Sequence, residues 1–287
     1  MNRLIRLLQT PAVALEAFEH PADTEHRDPD REVASGFCLN FVDGGSFRVR
    51  VPVQPGAKRG AMSTWHMTPR TLFVTTPGLM YSCTHDETHP TDRCLSIAYA
   101  DATVDHLLSA GAMRADAGAW ALTNRQQYLR QQLDACARGD ELRIDALAGD
   151  LFWSLAKSGS TPAPLFRATL LTWYATRVDR ARALMEASYH EPLTLTRLSR
   201  DAGMSPFHFA RVFRELQGEP PHRYLTTVRL AHAARRLREG ASVTDTCFAV
   251  GFGSLSHFVT AFRRRYGVSP SKWKGMKISR GSSAIVR

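Results

Sequence analysis

Between Phe37 and Ala100 the apolar positions fall in short runs, FCLNFVD, SFRVRVPV, RTLFVTTPG, LMYSCTH and RCLSIAYA. Each is rich in β-branched or aromatic residues and is set off by Gly, Pro or Asp, the pattern of strands. Strands in such close succession predict a small β-barrel or a double-sheet jelly roll. Past residue 100 the period lengthens. Val104, Leu107 and Leu108 fit one short helix, and Leu129, Leu133 and Cys136 fit a second. Ile144, Leu147, Ala148, Leu151 and Leu155 follow at i, i+3, i+4, i+7 and i+11, which predicts a third. Arg138-Gly139-Asp140 breaks the chain between the last two. Residues 124–157 therefore predict a helical hairpin whose apolar stripe suits either a domain core or a dimer seam. KSGSTPAPL, from Lys157 to Leu165, is small, polar and interrupted by Pro, as linkers are. Everything beyond it reads as helix.

A single theme occurs twice within that helical region. In LTLTRLSRDAGMSPFHFARVFRELQG, from Leu193 to Gly218, Leu195 and Leu198 give a short helix its inner face. Gly203 stands at the turn, where a positive φ is cheap only for glycine. Ser205 suits an N-cap and Pro206 the first helical position. A second helix then sets Phe209, Phe213 and Leu216 on one side. This is the helix-turn-helix pattern. SVTDTCFAVGFGSLSHFVTAFRRRYG, from Ser242 to Gly267, repeats it with Val243, Cys247 and Val250 inward, Gly251 and Gly253 at the turn, Ser254 as cap, and Phe258 and Phe262 inward. YLTTVRLAHAARRLREG, from Tyr224 to Gly240, reads as a long amphipathic connector, and Ser269-Pro270 opens a short final helix carrying Trp273.

A helical wheel separates the faces. With Phe209 and Phe213 inward, Phe207, Arg211 and Arg214 point out. With Phe258 and Phe262 inward, Ser256, Thr260 and Arg263 point out, with His257 and Arg264 on the flanks. Arg, Ser, Thr and His hydrogen-bond base edges in a major groove, and an outward Phe suits a thymine methyl. The remaining arginines suit phosphates. Charge sharpens this reading. The 287-residue chain carries a net charge of +10, yet residues 166–287 hold 21 Lys and Arg against 8 Asp and Glu, while residues 1–165 hold 16 against 19. The basic excess lies wholly in the helical region, as expected of a nucleic-acid-binding module attached to a near-neutral domain.

GFGSLSHF, from Gly251 to Phe258, followed by FRRRYGVSP, from Phe262 to Pro270, resembles the signature of the AraC/XylS family of bacterial transcription regulators. The first unit resembles it too, and the likeness spans about residues 170–275. It implies a seven-helix domain with two helix-turn-helix units, each recognition helix entering one of two adjacent major-groove segments about 34 Å apart. Carried over position by position, the resemblance implies base-reading at Phe207, Ala210 and Arg211, and at Leu255, Ser256, His257, Val259 and Thr260. It differs from the wheel at Ala210, Leu255 and Val259, which are apolar. The strand-rich N-terminal region resembles the family's sensing and dimerisation domains. That likeness implies a cupin-like small β-barrel, a small-molecule effector bound in or beside it, a homodimer formed through it, and activation through contact with RNA polymerase.

The expected architecture is therefore α+β in two domains: residues 1–157 for sensing and dimerisation, 158–165 as linker, and 166–287 as an all-α domain that binds double-stranded DNA, with helix-turn-helix units at about 193–218 and 242–267. Cys83, His85, His89 and Cys94, with His66 upstream, are candidate ligands for zinc or copper, or a redox pair in Cys83 and Cys94, though their spacing fits no compact finger. No cofactor is expected. No Gly-rich phosphate loop, G-x-S-x-G elbow or H-E-x-x-H occurs, so an enzyme is not expected. Five scattered cysteines argue against a disulfide framework. No apolar run is long enough to span a membrane. The opening MNRLIRLLQTPAVALEAF mimics a leader, but Arg6, Pro11 and Glu16 interrupt it, which points to a cytoplasmic protein.

Overall fold

The computed structural model describes residues 3–19, 32–52, 62–85, 93–112, 116–136, 141–155 and 164–275. The chain divides into two compact units, Met1–Arg167 and Ala168–Arg287.

In the first unit the strands are β1 (Arg3–Gln9), β2 (Val13–Glu19), β3 (Glu32–Val33), β4 (Phe37–Gly44), β5 (Phe47–Pro52), β6 (Met62–Met67), β7 (Thr71–Thr75), β8 (Met80–His85), β9 (Arg93–Tyr99) and β10 (Gly118–Ala121). The helices are α1 (Asp101–Ser109), α2 (Asn124–Cys136) and α3 (Glu141–Leu155). The strands form two antiparallel sheets. One has six strands in the order β1-β2-β9-β4-β7-β10, and the other has four in the order β3-β8-β5-β6. The leader-like opening is a β-hairpin. Thr10 closes its turn, its Oγ1 accepting from the backbone N–H of Ala12 and of Val13 at 3.2 and 3.1 Å. Arg6 and Glu16 face each other across the pair and form an ion pair at 2.8 Å.

The six-stranded sheet has two unlike faces, because side chains alternate along each strand. Leu15, Phe37, Leu39, Phe41, Leu95, Ile97 and Tyr99 share one face and are buried. Phe37 and Tyr99 meet Phe152 of α3 at 5.0 and 5.5 Å between ring centres, and the Tyr99 hydroxyl donates to Ala148 O at 2.8 Å. The apolar stripe of the hairpin is thereby buried: Ile144, Ala148, Leu151 and Phe152 of α3, and Leu129 and Leu133 of α2, all lie in the core of this unit. Of the two uses open to that stripe, it serves as core. The opposite face carries Glu16, Cys38, Asn40, Cys94, Ser96 and Ala98 and turns toward the four-stranded sheet. Val42 and Phe73 join Phe47, Val49, Val51 and Met67 in a core between the sheets. The break expected at Arg138 to Asp140 lies outside the described residues, as do residues 158–163 of the linker. Beyond them, buried Asn124 fastens the chain: its Nδ2 donates to Pro164 O at 3.1 Å and its Oδ1 accepts from the Phe166 N–H at 2.7 Å.

The second unit is helical throughout its described residues: α4 (Ala168–Ala187), α5 (Leu195–Asp201), α6 (Pro206–Gln217), α7 (Pro221–Arg238), α8 (Val243–Ala249), α9 (Leu255–Tyr266) and α10 (Pro270–Gly275). Helices α5 and α6 make the first helix-turn-helix, and α8 and α9 the second. Ser205 and Ser254 are N-caps, accepting from the N–H of His208 and of His257, both at 3.4 Å. Pro206 is at the first position of α6. Phe209, Phe213 and Leu216 are fully buried, as are Cys247, Val250, Phe258 and Phe262. Leu195 does not join its expected inner face and is 41% exposed. It is the first residue of a seven-residue helix, and the one turn that packs inward uses Leu198, Ser199 and Ala202 instead. In the second turn the left-handed residue is Gly251, at φ +88°; Gly253 keeps an ordinary backbone. The connector starts at Pro221, three residues before the expected Tyr224.

Candidate nucleic-acid interface

Helix α6 starts at a serine cap and buries its Phe209–Phe213 stripe, which fixes what it shows outside. Phe207 is 82% exposed, Arg211 and Arg214 are exposed, and Ala210 is half-buried beside them. These four, with Glu215 and Pro220, line a depression of about 570 Å³. So Phe207 does not pack on the connector, and Ala210, absent from the outward set of the wheel, belongs to the same concave surface. Behind the face, the Tyr174 hydroxyl of α4 lies 3.0 Å from Nε2 of His208 and ties the recognition helix to its support.

Helix α9 repeats the arrangement. Leu255 is 38% exposed, and Ser256, His257, Thr260, Arg263 and Arg264 are exposed. Val259, implied by the resemblance as a base-reader, is half-buried and packs on the core formed with α7 and α8. One turn of α9 thus uses this position for its own scaffold. The His257 ring leans on buried Phe252, 5.5 Å between centres, while the residue stays open to solvent.

His257, Thr260 and Arg264 also line a second, larger cleft of about 640 Å³. Its other wall is the start of α7, with His222, Arg223, Thr226 and Thr227, and Arg265 closes one side. Periodicity misses these residues because α7 registers there only as a connector. The signal available was the polar run His222-Arg223 and Thr226-Thr227 at its N-terminal end.

The two helix-turn-helix units meet at the loop that leads into α5. Arg229 of α7 donates from Nε to Tyr189 O at 2.7 Å and from Nη2 to Glu191 O at 2.8 Å, fixing the loop that leads into α5. Gly251, in the turn of the second unit, presses on the same loop: a Cβ there would lie 2.8 Å from His190 O and 3.0 Å from Tyr189 O. His232 stacks on Tyr189, 3.8 Å between ring centres and 12° from parallel. Burial, then the charge of Arg235, holds its pKa below the ordinary histidine value.

The Cys/His candidates separate. His89 lies outside the described residues, and the side chain of His85 is not among those described. His66 is exposed on β6. Cys83 and Cys94 both line a cavity of about 350 Å³ between the two sheets, together with Cys38, which no sequence pattern groups with them. Among the described residues no three His, Cys, Asp or Glu side chains stand where they could hold a metal ion. Burial, more than any other cause, pushes the thiols of Cys38 and Cys83 above their ordinary value. The same cavity holds Glu32, which accepts from the Tyr81 hydroxyl at 2.8 Å, and a floor of Asn40, Thr75 and Ser96.

A helix-turn-helix domain family matches residues 198–276, which span both recognition helices. The C-terminal unit is an AraC-type helix-turn-helix domain. Among the relatives of this AraC-type domain, the HTH-type transcriptional regulator GlxA of Rhizobium meliloti is 33% identical over 122 residues, 41% of this chain and 38% of that protein. The HTH-type transcriptional regulator ExsA of Pseudomonas aeruginosa is 30% identical over 114 residues, 39% of this chain and 41% of that protein. The chain therefore matches well under half the length of these curated relatives. A solved structure of a probable AraC family transcriptional regulator from Rhodopseudomonas palustris is 29% identical, covering 34% of this chain and 94% of that one, with a TM-score of 0.33.

Proposed function

We propose that this chain is a sequence-specific, DNA-binding transcription regulator, an effector-responsive activator whose helices α6 and α9 read two adjacent major-groove segments. The observation that carries the reading is the pair of serine-capped helices on buried phenylalanine stripes, each with an exposed polar face. Phe207, Ala210 and Arg211 are assigned to the bases of one segment, with Phe207 on a thymine methyl and Arg211 on a purine edge. Ser256, His257 and Thr260 are assigned to the other, with Leu255 at its margin. Arg214, Arg263 and Arg264 are assigned to phosphates, where they position the protein without specifying sequence. The relatives named above are transcription regulators, and the chain is read as a regulator and not as an enzyme.

The first unit is read as a cupin-like small β-barrel, with residues 158–165 as linker. Its effector site is the cavity between the sheets, which is within the volume range of small-molecule sites and mixes apolar and hydrogen-bonding walls. The alternative, a metal or redox sensor built on Cys83, His85, His89 and Cys94, is not carried forward. Among the described residues no three possible ligands come together, and burial disfavours a free thiolate at Cys83. The homodimer through this unit stays part of the proposal; the hairpin's apolar stripe lies in the core, so another surface of the unit would form it. Contact with RNA polymerase and a cytoplasmic location complete the proposal. Among the described residues no helix is long and apolar enough to cross a membrane.

The deciding experiment is selection of binding sites from random duplexes by the intact chain, followed by footprinting of the selected site. Two protected major-groove segments about one helical turn apart are expected. Uniform protection of every duplex, lost with added salt, would overturn the reading.

A further inference from the structure

Two concave surfaces flank the α6–α7 turn. Pro220 lines the depression beside α6, and Glu219 lines the cleft beside α9. The turn and the first two turns of α7 therefore stand between the two reading faces. Two successive major-groove segments on one side of a duplex are separated by a minor groove and its bordering phosphates. Whatever lies between the reading helices must face that backbone. We infer that the cleft between the start of α7 and α9 seats the sugar-phosphate backbone running between the two major-groove segments, with Arg223 as its principal phosphate contact. The inference rests on the two-segment reading proposed above.

The chemistry of the cleft fits this occupant. Three arginines, Arg223, Arg264 and Arg265, and two histidines, His222 and His257, line it against one carboxylate, Glu219. That excess suits an anion. Leu230 and Ala261 give it an apolar base, which suits a deoxyribose ring. Two of its threonines are already engaged as donors, Thr226 Oγ1 to His222 O at 2.8 Å and Thr260 Oγ1 to Ser256 O at 3.0 Å. The charged donors of the cleft are its arginines, which bind phosphate oxygens without regard to base. On this assignment α7 is a third DNA-contacting element, and it adds affinity that does not depend on sequence.

The test uses the intact chain, the duplex carrying its selected site, and a random duplex of equal length. Dissociation constants are measured across a salt series for the wild type, Arg223→Ala, Arg223→Lys and Phe207→Ala. Phosphate-ethylation interference is mapped on the selected site. Arg223→Ala is expected to weaken binding to both duplexes by a similar factor and to lower the salt slope by about one, with Arg223→Lys restoring it. Phe207→Ala is expected to weaken only the selected site. Ethylation of phosphates between the two segments is expected to block the wild type and to cease to matter for Arg223→Ala. An equal melting temperature for Arg223→Ala and wild type removes misfolding as the cause. An unchanged salt slope on both duplexes, or a map with no blocked phosphate between the segments, overturns the inference while leaving the two-segment reading standing. If selection yields no site at all, the two-segment reading falls and the placement of the backbone falls with it.

Discussion

Replacing Gly251 with alanine tests the joint between the two helix-turn-helix units. Two costs add. The backbone there has φ +88°, a conformation that side chains other than glycine adopt at about 1–3 kcal/mol. The new Cβ would also stand 2.8 Å from His190 O and 3.0 Å from Tyr189 O. Both are main-chain atoms, so no rotamer change relieves them, and the Arg229 bonds hold the loop from the other side. Overpacking of this kind costs roughly 1–3 kcal/mol more. Gly203, in the equivalent turn of the first unit, separates the terms: it has φ +64° and nothing within 4 Å of its would-be Cβ. Gly203→Ala should therefore cost only the backbone contribution, about 1–2 kcal/mol. Gly251→Ala should cost about 2–6 kcal/mol by the two ranges together. Hydrogen exchange read by mass spectrometry, on α8 and α9 peptides for Gly251→Ala and on α5 and α6 peptides for Gly203→Ala, gives both losses locally, without assuming that the two units unfold together. Equal losses for the two variants would refute the argument, because the contact with the loop would then contribute nothing.

Four further outcomes are expected. Arg211→Ala should cost about 1–3 kcal/mol on the selected site and relax the preference at one base pair; an equal loss on all sequences would move Arg211 to the phosphates. Replacing thymine by uracil under Phe207 should weaken wild-type binding and leave Phe207→Ala unaffected, as measured by titration on matched duplexes. His232 has a folded pKa held below its ordinary value of 6.5, so the unfolded chain takes up the proton first. The stability of the second unit should therefore be full above that value and decline as pH falls below it, with His232→Phe removing that component of the slope in urea melts at pH 5 and pH 8. Cys38 and Cys83, raised by burial, should resist iodoacetamide in the native chain at pH 8 and react once it is unfolded, which peptide mass mapping would show.

The helix-turn-helix units were legible because each depends on local chemistry. A serine cap, one left-handed glycine and phenylalanines four apart, joined in the first unit by a proline at the first helical position, are all written within about 25 residues. The five strands from Phe37 onward were legible for a like reason. Strand β1 was not, since a register shift between Arg6 and Leu8 breaks its alternation, and β2, VALEAFE, alternates in burial but is rich in Ala and Glu, which are weak strand formers. Strand β6, MSTWHM, is largely uncovered and carries no apolar period, and β10 is only four residues long. Both concave sites beyond α6 escaped because their walls come from distant stretches of the chain. The cleft sets His222 and Arg223 against His257 and Arg264, and the cavity in the first unit gathers Cys38, Cys83 and Cys94 from three strands. Leu195 shows the converse limit, since periodicity counts a helix's first residue like any other, whereas packing of a two-turn helix does not.

The two-faced sheet in the first unit gives neighbouring residues separate fates. Ile97 touches only the dry side, where a lost methylene leaves a cavity that destabilises the unit. Ser96, one peptide bond away, borders the inner cavity and takes no share in that apolar packing. A lineage can therefore rewrite Cys38, Asn40, Cys94, Ser96 and Ala98, the cavity-lining letters of β4 and β9, while the intervening letters keep the sheet attached to its helices and Val42 holds the core between the sheets. Selectivity and stability are interleaved along the same strands and free to drift apart.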